Sequence, residues 1–338
     1  MHISELGEFP LIDRVAEIVA VERADVLVGI GDDVAVLADG EELILATVDS
    51  QVEGVHFLRH VTTPRQLGRR ALAINLSDIA AMGGRPQYAL VSLALPSDTD
   101  VAWVEELYRG LREEGDRSGT AIIGGNMASS PERAFIDVCV LGRVRRHHLM
   151  LRSGAQPGDQ VLVTGNLGDA AAGLAVALDP DLPVAASQRE ALLSRYLTPT
   201  PRLAEAAVIA RSGAATAMID VSDGLSSDVG HICDRSQVGV RLWAERLPIS
   251  SAARRVARLN DEPAWRLSLG ASDDYELCFT APPEATDALI ADVREETGTS
   301  VTRIGQIVPP QEGRSLILED GGEIALEAAG WQHFSHQG

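Results

Sequence analysis

VGIGDDVAVLADGEELILATVDS, residues 28–50, places two adjacent aspartates, Asp32 and Asp33, in a turn bracketed by glycine. It then runs an apolar strand, Leu43 to Val48, into a third aspartate, Asp49. Side chains alternate faces along extended chain, so Asp32 and Asp33 are expected to point at different targets. One faces a site while the other faces water or caps a backbone group. Carboxylates at strand ends and in glycine turns suit hard cations, which take oxygen ligands. A solvated acidic turn accounts for this stretch taken alone; its recurrence downstream is what argues for a site.

Outward from that stretch, the chain alternates strands and helices. Phe9 to Val21 has the period of an amphipathic helix, with Leu11, Val15, Ile18 and Val19 on one side. Thr62 and Thr63 ahead of Pro64 mark the start of a helix that runs towards Met82 and stops at Gly83-Gly84. On it Asn75 and Asp78 are three apart and share a face. An aspartate late in a helix opposes the macrodipole by ~0.3–1 kcal/mol unless a cation compensates it. Gln87 to Leu95 is an apolar strand, Val101 to Gly115 a helix, and Thr120 to Ile123 a short strand running into Gly124-Gly125-Asn126. After the strand Arg133 to Gly142 comes a basic cluster, Arg143, Arg145, Arg146, His147, His148 and Arg152, most of which reads as a solvated face.

The second half repeats the plan. The strand Gln160 to Thr164, Gly165 and Gly168, and the helix Asp169 to Leu178 form a weak phosphate-site signal. Ala215 to Ile219 is a strand ending in IDVSDGLSSDVGH, with Asp220, Asp223 and Asp228 close together and Ser222 placed as N-cap of the next helix. Capping explains Asp223 or Asp228, but not all three. Asp273-Asp274 precede the strand Tyr275 to Thr280, and Pro283 to Glu296 and Val301 to Val308 add a helix and a strand. The pattern predicts an α/β (α+β) chain of two domains, residues 1–150 and 151–338.

Composition narrows the chemistry. A net charge of -20 argues against nucleic-acid and anionic-membrane binding. For an anionic substrate it calls for bound cations that invert the local field. All 29 basic residues are arginine, which removes a Walker A loop, a kinase strand lysine and Schiff-base chemistry. The three cysteines are far apart, which argues against a disulfide framework. No apolar run approaches the ~20 residues of a membrane span, and no signal peptide is evident, so a soluble cytoplasmic protein is expected.

Asp33, Asp49, Asp78, Asn126, Asp220 and Asp223 all fall at element ends or glycine turns, and would converge if the strands lie in one or two packed sheets. Magnesium takes one or two carboxylates and completes its shell with water and substrate phosphate. This many oxygen groups therefore fits several ions around a polyphosphate. No HExxH, Cys-His cluster, EF-hand loop or GxSxG is present. A phosphate acceptor is already an anion at pH 7 and needs no general base, so positioning and charge neutralisation suffice.

The motifs GIGDDVAVL (29–37), VDS (48–50), LSDIAAMGGRP (76–86), IGGN (123–126), IDVSDGLSSD (219–228) and DDYELCF (273–279) together resemble the bacterial thiamine-monophosphate kinase family, within the aminoimidazole ribonucleotide synthetase superfamily. GEFPLI (7–12) and GWQHF (330–334) extend the resemblance over nearly the whole chain. It implies ATP-dependent phosphorylation of thiamine monophosphate to thiamine diphosphate. It also implies a homodimer pairing the sheets of its N-terminal domains, a ferredoxin-like-type α/β C-terminal domain, and a cleft between the two domains. By matching position, Asp33, Thr47, Val48 (main chain), Asp49, Asp78, Asn126, Asp220 and Asp223 would hold Mg2+. Tyr108, Gly125, Asn126, Arg152 and Ser222 would lie near ATP, and His56, Asp273 and Trp331 would contact thiamine monophosphate. Three positions depart from the common pattern: Asn126 where Asp is frequent, Asp273 where Glu is common, and Val48 in place of a hydroxyl residue. The rival readings are another ATP-dependent synthetase of the superfamily and a non-catalytic Mg/ATP-binding regulator.

Overall fold

The N-terminal half runs α1 (Ile3–Leu6), α2 (Glu8–Ile18), β1 (Val26–Val28), β2 (Ala35–Asp39), β3 (Glu42–Val52), α3 (Pro64–Ala81), β4 (Arg85–Leu95), α4 (Val101–Ser118), β5 (Ala121–Ser129) and β6 (Phe135–Arg145). The strands form one sheet in the order β1-β2-β3-β6-β4-β5, antiparallel throughout except for the parallel β4–β5 pair at the edge. These coordinates are a computed structural model that describes residues 2–20, 23–327, 330, 331 and 333. Val21, expected at the end of the first helix, and Gln332 and Phe334 of the closing motif lie outside the described residues.

Alternation along the strands decides which face is covered. Leu43 and Leu45 of β3, Val91 and Leu93 of β4, and Ile136 and Val138 of β6 are fully buried against Leu72, Leu76 and Ile79 of α3. Helix α4 packs on α3 where two glycines meet it: a Cβ on Gly68 would lie 2.0 Å from the Leu107 carbonyl oxygen, and one on Gly110 2.0 Å from that of Arg65. The opposite sheet face is open and carries Tyr88, Leu90 and Val48.

The C-terminal half adds β7 (Gln160–Thr164), α5 (Asp169–Leu178), α6 (Ala186–Leu197), α7 (Leu203–Ser212), β8 (Ala217–Val221), α8 (Leu225–Ser236), β9 (Gly239–Trp243), α9 (Ser251–Leu259), α10 (Trp265–Leu269), β10 (Glu276–Ala281), α11 (Pro283–Thr297), β11 (Val301–Val308), β12 (Arg314–Ile317) and β13 (Glu323–Ala325). Its seven strands lie in the order β13-β12-β9-β11-β7-β10-β8. Both faces of this sheet are covered, which explains the near-continuous apolar strands. Val161, Val163, Ile219 and Cys278 enter one core layer, while Leu162, Met218, Leu277 and Phe279 enter the other. Ala80 and Ala81 at the end of α3 belong to that second layer, so α3 is shared between the two halves. The expected α/β chain forms, and both of its sheets are mixed.

Several boundaries differ from the sequence reading. Helix α2 forms but buries no residue, and Ile18 is 82% exposed. The strand expected to end at Val48 continues to Val52, so Asp49 lies within β3. Gly124-Gly125-Asn126 are likewise inside β5, paired with Leu90, Val91 and Ser92. Ser222 is not an N-cap: Gly224 holds that position, with no side-chain cap.

Candidate active site

The acids converge where α3 meets both sheets. Oxygens of Asp33, Asp78 and Asp220, one from each, lie within 4.8 Å of one another. Three elements deliver them: the turn before β2, the last turn of α3, and β8. Thr47 donates to Asp78 Oδ2 at 2.7 Å, and the Asp49 amide donates to Asn75 Oδ1 at 3.0 Å. Asn75 and Asp78 thus share the helix face turned to β3, as their spacing requires. Ser77 donates to Asp220 Oδ2 at 2.6 Å and ties α3 to the second sheet.

The paired aspartates divide their work as expected. Asp32 Oδ1 accepts from the Asp33 amide at 3.0 Å, and Asp32 Oδ2 from the Arg152 amide at 3.3 Å. Asp33 turns inward, accepts from Arg152 Nη2 at 2.5 Å through Oδ1, and leaves Oδ2 buried without a partner. Arg152 therefore stands apart from the rest of its basic cluster.

Burial pushes the Asp220 carboxyl up to about 8, with Asp33 adding to the effect. Burial likewise raises Asp49 to about 6, and Asp223 to about 7 with Glu8 and Asp273 contributing. Asp78 is raised well above the ordinary range by burial and then by Asp49, Asp220 and Asp33. Burial and mutual repulsion thus raise the whole set, and the arginine in contact with it, Arg152, pairs with Asp33. The set's donors are hard oxygens and one of them is orphaned, a combination that fits magnesium.

Asp228 does not cap α8 but joins this group. It is 1% exposed, its Oδ2 has no partner, and burial followed by Asp223 and Asp220 raises its carboxyl. Glu8 was also missed: its Oε2 accepts the His333 amide at 2.7 Å, bringing the GEFPLI segment to the closing motif. Only the order of the motifs hinted at either.

His56, Asp273 and Trp331 line one pocket of about 140 Å³ beside the acids. The Val52 amide donates to His56 Nδ1 at 3.0 Å, and burial lowers the imidazole to about 4, so the ring is neutral. Arg70 of α3 pairs with Asp273, and the Trp331 amide donates to the Asp223 carbonyl at 3.0 Å. Val48 turns its side chain to the open face at 62% exposure, leaving its main chain as the group available on the acid side.

The remaining residues lie elsewhere. Asn126 and Gly125 are on the exposed edge strand β5, where a Cβ on Gly125 would fall 1.8 Å from the Val91 carbonyl oxygen. Tyr108 packs half-buried against the N-terminal core. The glycine turn before α5 is filled by Asp274, which accepts from the Gly168 amide at 2.6 Å and the Ala170 amide at 3.0 Å. An internal carboxylate takes the place of the phosphate considered there.

Comparison with known proteins identifies the family. The AIR synthase related protein N-terminal and C-terminal domain families match residues 31–144 and 156–317. The thiamine-monophosphate kinase of Escherichia coli K12 is 40% identical over 331 residues, covering 97% of this chain and 98% of the relative. The chain belongs to the thiamine-monophosphate kinase family. The Bacillus subtilis kinase is 33% identical over 336 residues, covering 97% and 100%. The structure of AaThiL complexed with AMPPCP and TMP superposes with a TM-score of 0.84 at 34% identity, covering 98% of this chain and 99% of that one.

Proposed function

We propose that the chain transfers the γ-phosphoryl group of ATP to thiamine monophosphate, forming thiamine diphosphate and ADP. The observation that carries this reading is the adjacency of the convergent acids to the pocket of His56, Asp273 and Trp331, which Trp331 joins to Asp223 through its amide. The solved relative named with AMPPCP and TMP supports both substrates. Asp33, Asp49, Asp78, Asp220 and Asp223, with Thr47 and the Val48 carbonyl, would hold several Mg2+ ions, and Asn126, apart from them on the edge strand β5, would hold one on the nucleotide's side. Bound magnesium neutralises phosphate charge and polarises the transferring group.

His56, Asp273 and Trp331 position thiamine monophosphate, and neutral His56 serves to orient rather than to take a proton. The acceptor phosphate, with a second pKa of about 6, is its own nucleophile. Tyr108, Gly125, Asn126, Arg152 and Ser222 serve the nucleotide. The boundary between domains 1–150 and 151–338 falls in the segment joining β6 to β7.

A homodimer pairs the open faces of two N-terminal sheets. Exposed Val48, Tyr88 and Leu90 on that face support it, and sedimentation at twice the chain mass tests it. No described helix is long and apolar enough to cross a membrane. The activity is tested with purified protein, magnesium, ATP and thiamine monophosphate. Thiamine diphosphate forms one-for-one with ADP and formation stops with EDTA; ATP binding without product would instead favour the regulator reading.

A further inference from the structure

The pocket beside the acids is lined by three buried polar atoms with no hydrogen-bond partner among the described residues: Gln51 Oε1, Arg70 Nε and Trp331 Nε1. Gln51 is 3% exposed and Arg70 4%, so water does not reach them freely. A buried polar group left unpaired is destabilising, and several around one cavity mark a surface completed by a ligand.

The identity of each free atom is set by its neighbours. Gln51 Nε2 donates to the Ser50 carbonyl at 3.3 Å, leaving Oε1 as the acceptor. Arg70 donates one terminal nitrogen to Asp273 and the other to the Tyr196 carbonyl, while its Cζ lies 5.0 Å from the Tyr196 ring centre. The guanidinium is thereby fixed, and Nε is its one nitrogen without a partner among the described residues. Gln51 also shares the inward face of β3 with Thr47 and Asp49. Two residues of strand separate it from Asp49 by about 7 Å. One strand therefore presents a cation-binding group at one point and a neutral acceptor further along.

This pairing matches the two ends of thiamine monophosphate, an inference that rests on the kinase reading above. The phosphate end carries negative charge. The pyrimidine end carries an exocyclic amine that donates and ring nitrogens that accept. We propose that Gln51 and Arg70 are specificity-determining residues: Gln51 Oε1 accepts from the exocyclic amine, and Arg70 Nε–H donates to a ring nitrogen.

The test compares thiamine monophosphate with its 4-oxo analogue, in which a carbonyl oxygen replaces the amine. Opposite Gln51 Oε1 the analogue sets acceptor against acceptor. The wild-type protein favours the amine by on the order of 100-fold in kcat/KM. Gln51→Met keeps the volume and removes the acceptor, so the ratio falls to within about threefold while the KM for ATP is unchanged. A folded Gln51→Met protein that keeps the wild-type ratio overturns the assignment. Gln51→Glu retains an acceptor oxygen and keeps the preference; its loss in that variant equally contradicts the assignment. Absence of turnover by the wild-type protein on thiamine monophosphate overturns the kinase reading itself, and the assignment with it.

Discussion

Two groups of buried carboxylates in this molecule have opposite surroundings. Glu276, fully buried on β10, accepts from Arg202 Nη2 at 2.5 Å and Nε at 2.6 Å, from Arg195, and from Thr164 at 2.6 Å. Asp33, Asp78 and Asp220, by contrast, have one arginine, Arg152 on Asp33, and the hydroxyls of Thr47 and Ser77. The first group is closed: each oxygen is answered from within the chain, so it holds the C-terminal fold together. The second is open: its carboxyls are raised by burial and by one another, and Asp33 keeps an oxygen without a partner. Burial alone does not distinguish structure from function here; the count of internal partners does.

The largest expected effect breaks the closed group. Glu276→Ala leaves Arg195 and Arg202 with their shared partner removed and lowers stability by about 3–5 kcal/mol. Urea denaturation reads this, and an unchanged midpoint would mean the network is not structural. The matching change in the open group acts on turnover instead. Asp78→Asn reduces kcat by about 100-fold or more, as loss of a transition-state electrostatic contact does. Its melting temperature is kept or raised, because one of the mutually repelling carboxyls has gone. Wild-type turnover would remove Asp78 from the site.

The third prediction concerns pH. Asp220 sits near 8 and Asp223 near 7 in the fold, against about 4 for an unfolded aspartate. The folded chain keeps protons that the unfolded chain releases between those values. The resulting stability is therefore complete below about pH 4 and lost as pH rises towards 8. Thermal melting in EDTA should fall across pH 5 to 8 by about 1.4 kcal/mol per pH unit for each proton held. Magnesium should offset the fall, and more strongly at pH 8 than at pH 6. A flat profile in EDTA would contradict the open-group account. The smallest effect is expected from Ser77→Ala, which removes one hydrogen bond to Asp220 and destabilises by about 1 kcal/mol.

Much of this contrast was legible in the sequence, and unevenly so. The spacing of Asn75 and Asp78 gave their shared face, and Thr63-Pro64 gave the start of α3, where Thr63 accepts from the Gln66 amide. Glycine was the weaker guide. Gly124 and Gly125 suggested a turn, yet they continue β5, because there the missing Cβ admits the Val91 carbonyl rather than a bend. Asp274 and Asp228 could not be sorted by sequence. Both are buried acids, one ahead of a strand and one early in a helix, and only tertiary packing gives the first its two backbone donors and leaves the second with an orphaned oxygen. Glu276 stood inside a quoted motif, but its arginines arrive from α6 and the segment before α7, separations no local pattern encodes.

Magnesium binding to EDTA-treated protein in the presence of AMPPCP tests the central claim most directly, by calorimetry at pH 7.5 in buffers of different ionisation enthalpy. The account predicts that binding releases protons from the acids, and that Asp220→Asn weakens binding and reduces that release. Binding of wild-type strength in Asp220→Asn, with no protons released by either protein, would contradict it.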